Sequence, residues 1–179
     1  MSAIEKIKRN AGYYFALQKY GSIHLEKISF CKFIQESNDI LIILPDDDVE
    51  FRNSLEAVYG LVEMKKNVVL FLRDYRVSLI TRKSGIGFID YGIRDFTKLY
   101  LPAKTLLDKI AEKKFDTVID LNLIEDIYAA IIVKSVDAKF KIGFKRGKTD
   151  LFYNILLINN ENIPAFSYRN LLNSLQMFQ

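Results

Sequence analysis

The stretch from Phe115 to Phe144, FDTVIDLNLIEDIYAAIIVKSVDAKFKIGF, limits what this chain can fold into more than any other part of it. Thr117 to Leu121 is a short β-rich run with turn residues after it, which predicts a buried strand. Ile124, Ile127, Tyr128, Ile131 and Ser135 recur at helical spacing and predict a helix over 124–135 with these side chains facing inward. Glu125 and Asp126 near its start and Lys134 near its end suit the helix dipole. Lys139 to Phe144 reads as a second strand. Strand, helix and strand in this order form the unit of a parallel sheet, because parallel neighbours need a crossover between them.

The rest of the chain repeats that alternation. Ile40 to Leu44 is an unbroken apolar run between Asp39 and Pro45, the mark of a strand covered on both faces. From Glu50, the residues Phe51, Leu55, Val58 and Val62 form a helical stripe that ends near Lys65 and Lys66, and Asn67 to Leu72 gives another strand. Between Arg73 and Pro102 the pattern weakens, with Gly87 to Tyr91 and Thr97 to Leu101 both extended, so one strand or two are expected. A helix over Ala103 to Lys113, a strand over Leu151 to Ile158 and a closing helix over Ser167 to Phe178, capped by Ser167, complete the series. The prediction is an α/β protein: a three-layer, Rossmann-like, doubly wound sandwich with a mainly parallel sheet.

Ahead of it, Ser2 to Lys19 predicts a helix outside the sheet core, with Ser2 as N-cap and Gly21 as stop, followed by a short helix over Phe30 to Glu36 capped by Ser29. Residues 1–38 are thus expected as a helical extension and residues 39–179 as a single Rossmann-like domain.

Composition excludes several classes. With 50% hydrophobic residues in 179, one ordered domain is expected rather than disorder. The single cysteine, Cys31, cannot make an internal disulfide, and the single histidine, His24, lacks partners for a triad or a histidine-rich metal site, so no metal is expected. The chain opens without a signal-peptide pattern, and no run approaches the roughly 18 apolar residues of a membrane span. A soluble, cytoplasmic protein is expected. Lys6, Lys8, Arg9 and Lys19 on the first helix are read as a solvated face, with peripheral contact at the inner membrane as the sharper alternative.

Gly85, Ile86 and Gly87 fall short of a dinucleotide fingerprint and read as a turn, and no phosphate loop is present, so no cofactor is expected. Aromatic residues are spread along the chain rather than gathered on a platform, and the net charge is only +4, so no nucleic-acid partner is expected. Lys145, Arg146 and Lys148 read as a solvated loop.

The chemistry-bearing candidates sit after the first strand. Asp46, Asp47, Asp48 and Glu50 lie between a strand's carboxyl end and a helix start, where open α/β sheets bind ligands. Two readings stand: a carboxylate cluster acting as base or cation site, or a solvated loop with one Asp capping the helix. Negative charge already at the helix start disfavours phosphate there.

ILIILPDDDVEFRNSLEAVYGL, residues 40–61, followed by the Phe115 to Phe144 unit, resembles the N-terminal domain of glycosyltransferase family 9, the lipopolysaccharide heptosyltransferases. The later match rests on Phe115, Asp116, Val118, Ile119, Asp120, Leu121, Ala138, Lys139, Ile142, Gly143 and Phe144. The resemblance implies a two-domain enzyme family whose first domain holds a lipid-linked sugar acceptor and whose second binds the nucleotide-sugar donor. By this resemblance the chain is expected to correspond to the first domain alone. Val49, Glu50 and Phe51 fall on the family's Gly-Asp-Val triplet, which makes Glu50 the candidate base, one methylene longer than the family's Asp. Val49 stands where the family's glycine permits unusual torsions or close ligand approach. After the VIDL strand, Asn122 and Leu123 replace a Gln-Gly type pair. The resemblance implies Asp46, Asp47, Asp48, Asp120 and Asn122 as ligand-binding residues, a separate donor-domain protein as partner, and a glycan or lipid-linked acceptor connected with the cell envelope. The alternative is a non-catalytic binding or protein-interaction module on the same scaffold.

Overall fold

In the computed structural model, residues 2–21, 33–81 and 85–177 are described. His24, Cys31, the proposed Ser29 cap and the start of the short helix at Phe30 lie outside these residues. Two helices come first, α1 (Ala3–Tyr20) and α2 (Phe33–Glu36). The sheet strands are β1 (Asp39–Ile43), β2 (Asn67–Arg73), β3 (Ile86–Tyr91), β4 (Thr117–Asp120), β5 (Phe140–Phe144) and β6 (Ile155–Leu157). Between and after them run α3 (Asp48–Glu63), α4 (Lys104–Ala111), α5 (Ile127–Ser135) and α6 (Pro164–Gln176).

Among the described residues the sheet has six strands in the order β3-β2-β1-β4-β5-β6, and every neighbouring pair is parallel. This is the strand order of a Rossmann-type sheet, whose direction of growth reverses between β1 and β4. Alternation along each strand divides the core. Ile40, Ile42 and Leu44 pack with Phe51, Val58 and Leu61 of α3 and Tyr168, Leu171 and Leu175 of α6. Leu41 and Ile43 pack on the other face with Leu106 and Ile110 of α4 and Ala129, Ile132 and Val133 of α5. The protein is therefore a three-layer Rossmann-like α/β sandwich.

Several elements differ locally from the sequence reading. Thr97 to Leu101 is a tight turn rather than a strand: Tyr100 adopts φ 61° and donates to the Thr97 carbonyl, leaving an isolated antiparallel bridge between Phe96 and Pro102. Helix α5 starts at Ile127, not Ile124, because Asp126 takes the N-cap and accepts from the Tyr128 and Ala129 amides; Ile124 is left 68% exposed. Pro164 sets the start of α6, so Ser167 is buried inside that helix instead of capping it. Part of the segment read as a strand from Leu151 is a 3₁₀ turn over Lys148–Phe152, with β6 limited to Ile155–Leu157.

The first helix forms as its ends predict. The Ser2 hydroxyl accepts from the Glu5 amide while the Glu5 carboxylate accepts from the Ser2 amide, and the Gly21 amide closes on the Leu17 carbonyl. Gly12 and Ala16 are buried. A Cβ on Gly12 would lie 2.3 Å from the Leu99 carbonyl oxygen, so only glycine lets α1 approach the turn before α4 this closely. Ala16 joins Leu101 and Ile131 in a third small cluster, which fixes α1 against α5.

Candidate functional site

At the reversal point the loops after β1 and β4 leave the sheet side by side, and a cavity of about 410 Å³ opens beside them. Asp46, Asp47 and Glu50 come from the first loop and the start of α3, Asn122 from the second loop, and Glu125 and Asp126 from the approach to α5. Arg73, Tyr91, Phe96 and Tyr128 form another wall, while Arg9, Asn10 and Tyr13 of α1 close the cavity from above.

Each carboxylate has its own partners. Asp46 receives the Arg73 guanidinium at 2.9 Å from both Nε and Nη2, and the Tyr91 hydroxyl at 3.2 Å. That guanidinium lies 4.9 Å from the Tyr91 ring centroid and 4.7 Å from that of Phe96. Asp47 is the N-cap of α3, accepting from the Val49 and Glu50 amides at 2.9 Å. Glu50 reaches across the reversal point, where its Oε2 accepts the Leu123 amide at 3.1 Å. Burial pushes the Glu50 carboxyl above its ordinary range, opposed by that amide bond. Burial, aided by the charge of Asp120, also raises Asp126. Glu125 accepts from the Thr149 amide at 2.8 Å and from the Tyr13 hydroxyl at 3.1 Å; burial and that carboxylate push the Tyr13 phenol up to about 12.

The aromatic wall is already stacked upon itself. Tyr91 lies 4.6 Å from Phe71 and 5.1 Å from Tyr128, and Phe96 lies 4.5 Å from Tyr128, all as ring-centroid distances. With Arg73 against Tyr91 and Phe96, ring faces are taken up internally. Among the charged groups lining the cavity, five carboxylates stand against two guanidinium groups, one of them paired with Asp46.

Of the residues singled out from sequence, Glu50, Asp46, Asp47 and Asn122 line this cavity, and Asp48 and Asp120 do not. Asp48 projects to solvent and pairs at 2.9 Å with Arg76, whose side chain is 2% exposed and which also donates to the Asp46 carbonyl. Asp120 is wholly buried. Its Oδ2 takes Arg146 Nη2 at 2.8 Å and the Tyr153 hydroxyl at 2.5 Å, while Oδ1 takes the Asn122 amide and side chain. Arg146 also donates to the Asn122 and Ile124 carbonyls. It is thus a buried strut of the second loop and not a solvated member of a basic patch. Val49 sits in the first turn of α3 and is not among the residues with positive φ, so its backbone carries no strain of the kind that favours glycine. Among the described residues no three His, Cys, Asp or Glu side chains converge as a metal site.

A Rossmann-type sheet raises the question of a dinucleotide, and the residues do not fit one. The amides at the start of α3 that would face a pyrophosphate are capped by Asp47, and the loop from Leu44 to Asp48 contains no glycine. Cavity residues that sequence reasoning did not single out for chemistry include Arg73, Tyr91, Phe96, Tyr100, Glu125, Asp126 and Tyr128, with Asn10 and Tyr13 of α1. Only the fold brings them together from distant segments.

A family model for a family of unknown function, DUF6913, matches residues 14–173. The chain belongs to this family. The match runs from within α1 to within α6 and so spans both loops of the cavity. No curated protein matches the chain.

Proposed function

We propose that this protein is the acceptor-side module of a sugar-transfer system, holding an uncharged polyhydroxylated ring in the cavity and presenting one hydroxyl to Glu50. The supporting observation is the half-buried Glu50 carboxyl, raised by burial, at the carboxyl edge of the parallel sheet, in a cavity lined by five carboxylates against two guanidinium groups. Such a lining favours ligands rich in hydroxyl donors and repels phosphate. In the transfer step Glu50 takes the hydroxyl proton as the hydroxyl oxygen bonds to the anomeric carbon. The nucleoside diphosphate leaves with the electron pair of its broken glycosidic bond. The activated donor comes from a separate protein, since this cavity is unsuited to its phosphates.

One observation favours a non-catalytic binding module: Oε2 of Glu50 already holds the Leu123 amide, a bond that joins the two loops. Glu50→Gln separates the roles, because an amide oxygen can hold Leu123 while the base is lost. Titrating the full chain with neutral monosaccharides, and separately with nucleoside diphosphates, followed by amide chemical shifts, tests the reading. Neutral sugars are expected to shift Asn122 and Glu125, in wild type and Glu50→Gln alike. Selective binding of the nucleotide, or no response to any sugar, overturns the proposal.

A further inference from the structure

Helix α1 packs Leu17 and Tyr20 on the core but carries four other large apolar side chains on the wrong side for a helix held only by the domain. Its buried positions are Gly12 and Ala16, yet Ile4, Ile7, Tyr14 and Phe15 are 65, 68, 62 and 49% exposed. At 3.6 residues per turn, Tyr14, Ile7, Ala11, Ile4 and Phe15 share a strip about 100° wide, facing away from Gly12 and Ala16. A surface helix ordinarily turns such a strip to the core.

Charge identifies what fits the strip. Lys8 and Lys19 border it beyond Phe15, and Lys6 lies past Asn10 on the other side. The Lys19 ammonium lies 5.8 Å from the Phe15 ring centroid, and Lys148, from the loop after β5, lies 5.5 Å from that of Tyr14. The only acidic residue of α1, Glu5, is turned to the Ser2 cap. Apolar side chains flanked by long cationic ones, with no carboxylate between, match the boundary of an anionic bilayer, where the chains enter the acyl region and the ammonium groups meet headgroup phosphates.

We infer that the outward face of α1 docks the protein on an anionic lipid surface. Among the described residues no helix is long and apolar enough to cross a membrane, so α1 lies along the surface. Its inner face lines the cavity through Arg9, Asn10 and Tyr13, which sets the cavity directly beneath the docked helix. The inference stands independently of the proposed sugar chemistry, because it uses only the face of α1 that points away from the cavity.

Flotation of the full chain with phosphatidylcholine vesicles, with and without phosphatidylglycerol, tests it. Wild type is expected to float with the anionic vesicles, not with the neutral ones, and to be released as salt shortens the screening length. Ile7→Glu with Phe15→Glu changes only exposed positions and is expected to lower partitioning at least about tenfold, while Lys8→Gln with Lys19→Gln lowers it by about fivefold per charge. Circular dichroism of each variant checks that the fold is kept. Absence of flotation with either vesicle, or flotation unchanged by the Glu pair, overturns the inference. So does a wild-type dimer in light scattering that the Glu pair dissociates, since the face would then belong to a second copy.

Discussion

Replacing Arg146 by Met tests whether the second loop of the cavity hangs on one buried ion pair. The side chains of Arg146 and Asp120 are 2% and 0% exposed, and the pair is 2.8 Å apart. Burial of two charges is costly, so the pair adds little over an apolar replacement of both, but removing one partner leaves a desolvated charge, at a cost of about 3–5 kcal/mol. Part is recovered here, because the Tyr153 hydroxyl and the Asn122 groups still donate to Asp120. Part is added, because the Asn122 and Ile124 carbonyls lose their donor. About 3 kcal/mol is therefore the floor, which for a chain of this length lowers the melting temperature by roughly 6–12 °C. Arg169→Met is the matched control, since Arg169 and Glu56 are 55% and 44% exposed and such pairs contribute about 1 kcal/mol or less. Urea unfolding followed by far-ultraviolet circular dichroism measures both, and Arg146→Met with Asp120→Asn should recover stability relative to Arg146→Met alone. If Arg146→Met proves no more costly than Arg169→Met, with equal denaturant slopes, the strut argument is wrong.

Gly143→Ala attacks the same network from β5: the new Cβ would lie 2.7 Å from two carbons of the Tyr153 ring, so the ring must move and its bond to Asp120 weaken. A loss of about 1–3 kcal/mol is expected, with altered near-ultraviolet dichroism, and an unchanged urea midpoint would refute it. Glu50→Gln carries a signed pH dependence. The folded carboxyl is raised above its ordinary value of 4.5, so between that value and the folded one the native state binds more protons than the unfolded chain, and this group's contribution falls as pH rises. The variant should gain stability relative to wild type as pH rises through that window and hold a constant difference below it. Midpoints across a pH series that show the variant losing ground with rising pH would contradict the burial argument.

The layers were legible because burial on both faces leaves a plain trace in sequence. Ile40 to Leu44 and Thr117 to Leu121 lack polar alternation, since both faces of β1 and β4 are covered, and their carboxyl ends mark the reversal point where Asp46, Asp47, Glu50 and Asn122 meet. What could not be read was side-chain direction within a short acidic run. Asp46, Asp47 and Asp48 are adjacent, yet one pairs with Arg73, one caps α3 and one turns out to Arg76, and both arginines come from β2 or the 3₁₀ turn that follows it. Arg146 read as a loop charge because its partner lies 26 residues away, a pairing no local pattern carries. The aromatic wall was equally silent: Phe71, Tyr91, Phe96 and Tyr128 belong to four separate segments and meet only after the sheet is assembled.

Those placements bear on what the proposed site at this Rossmann-type edge would accept. The fold offers the amides of α3 to whatever occupies the crevice, and in nucleotide-binding proteins that offer is taken by phosphate. Here Asp47 takes it first, so the positive end of the helix is spent within the protein. Glu50 then takes the Leu123 amide, removing a donor that the second loop would have presented. The Arg73 cation is held by Asp46 between two rings. The amides of Val49, Glu50 and Leu123 and the Arg73 guanidinium, four donors that would greet an anion, are thus engaged by the protein's own carboxylates. Arg9, the cavity guanidinium with no carboxylate partner among the ion pairs of the described residues, is the group left to meet a phosphate ester without displacing one of these pairs. Asp47→Ala is the direct probe: it uncaps α3 at a cost of about 1 kcal/mol, and it should let inorganic phosphate shift the Val49 and Glu50 amide resonances where wild type shows no response. If wild type already binds phosphate at those amides, the carboxylate is not what sets the ligand class.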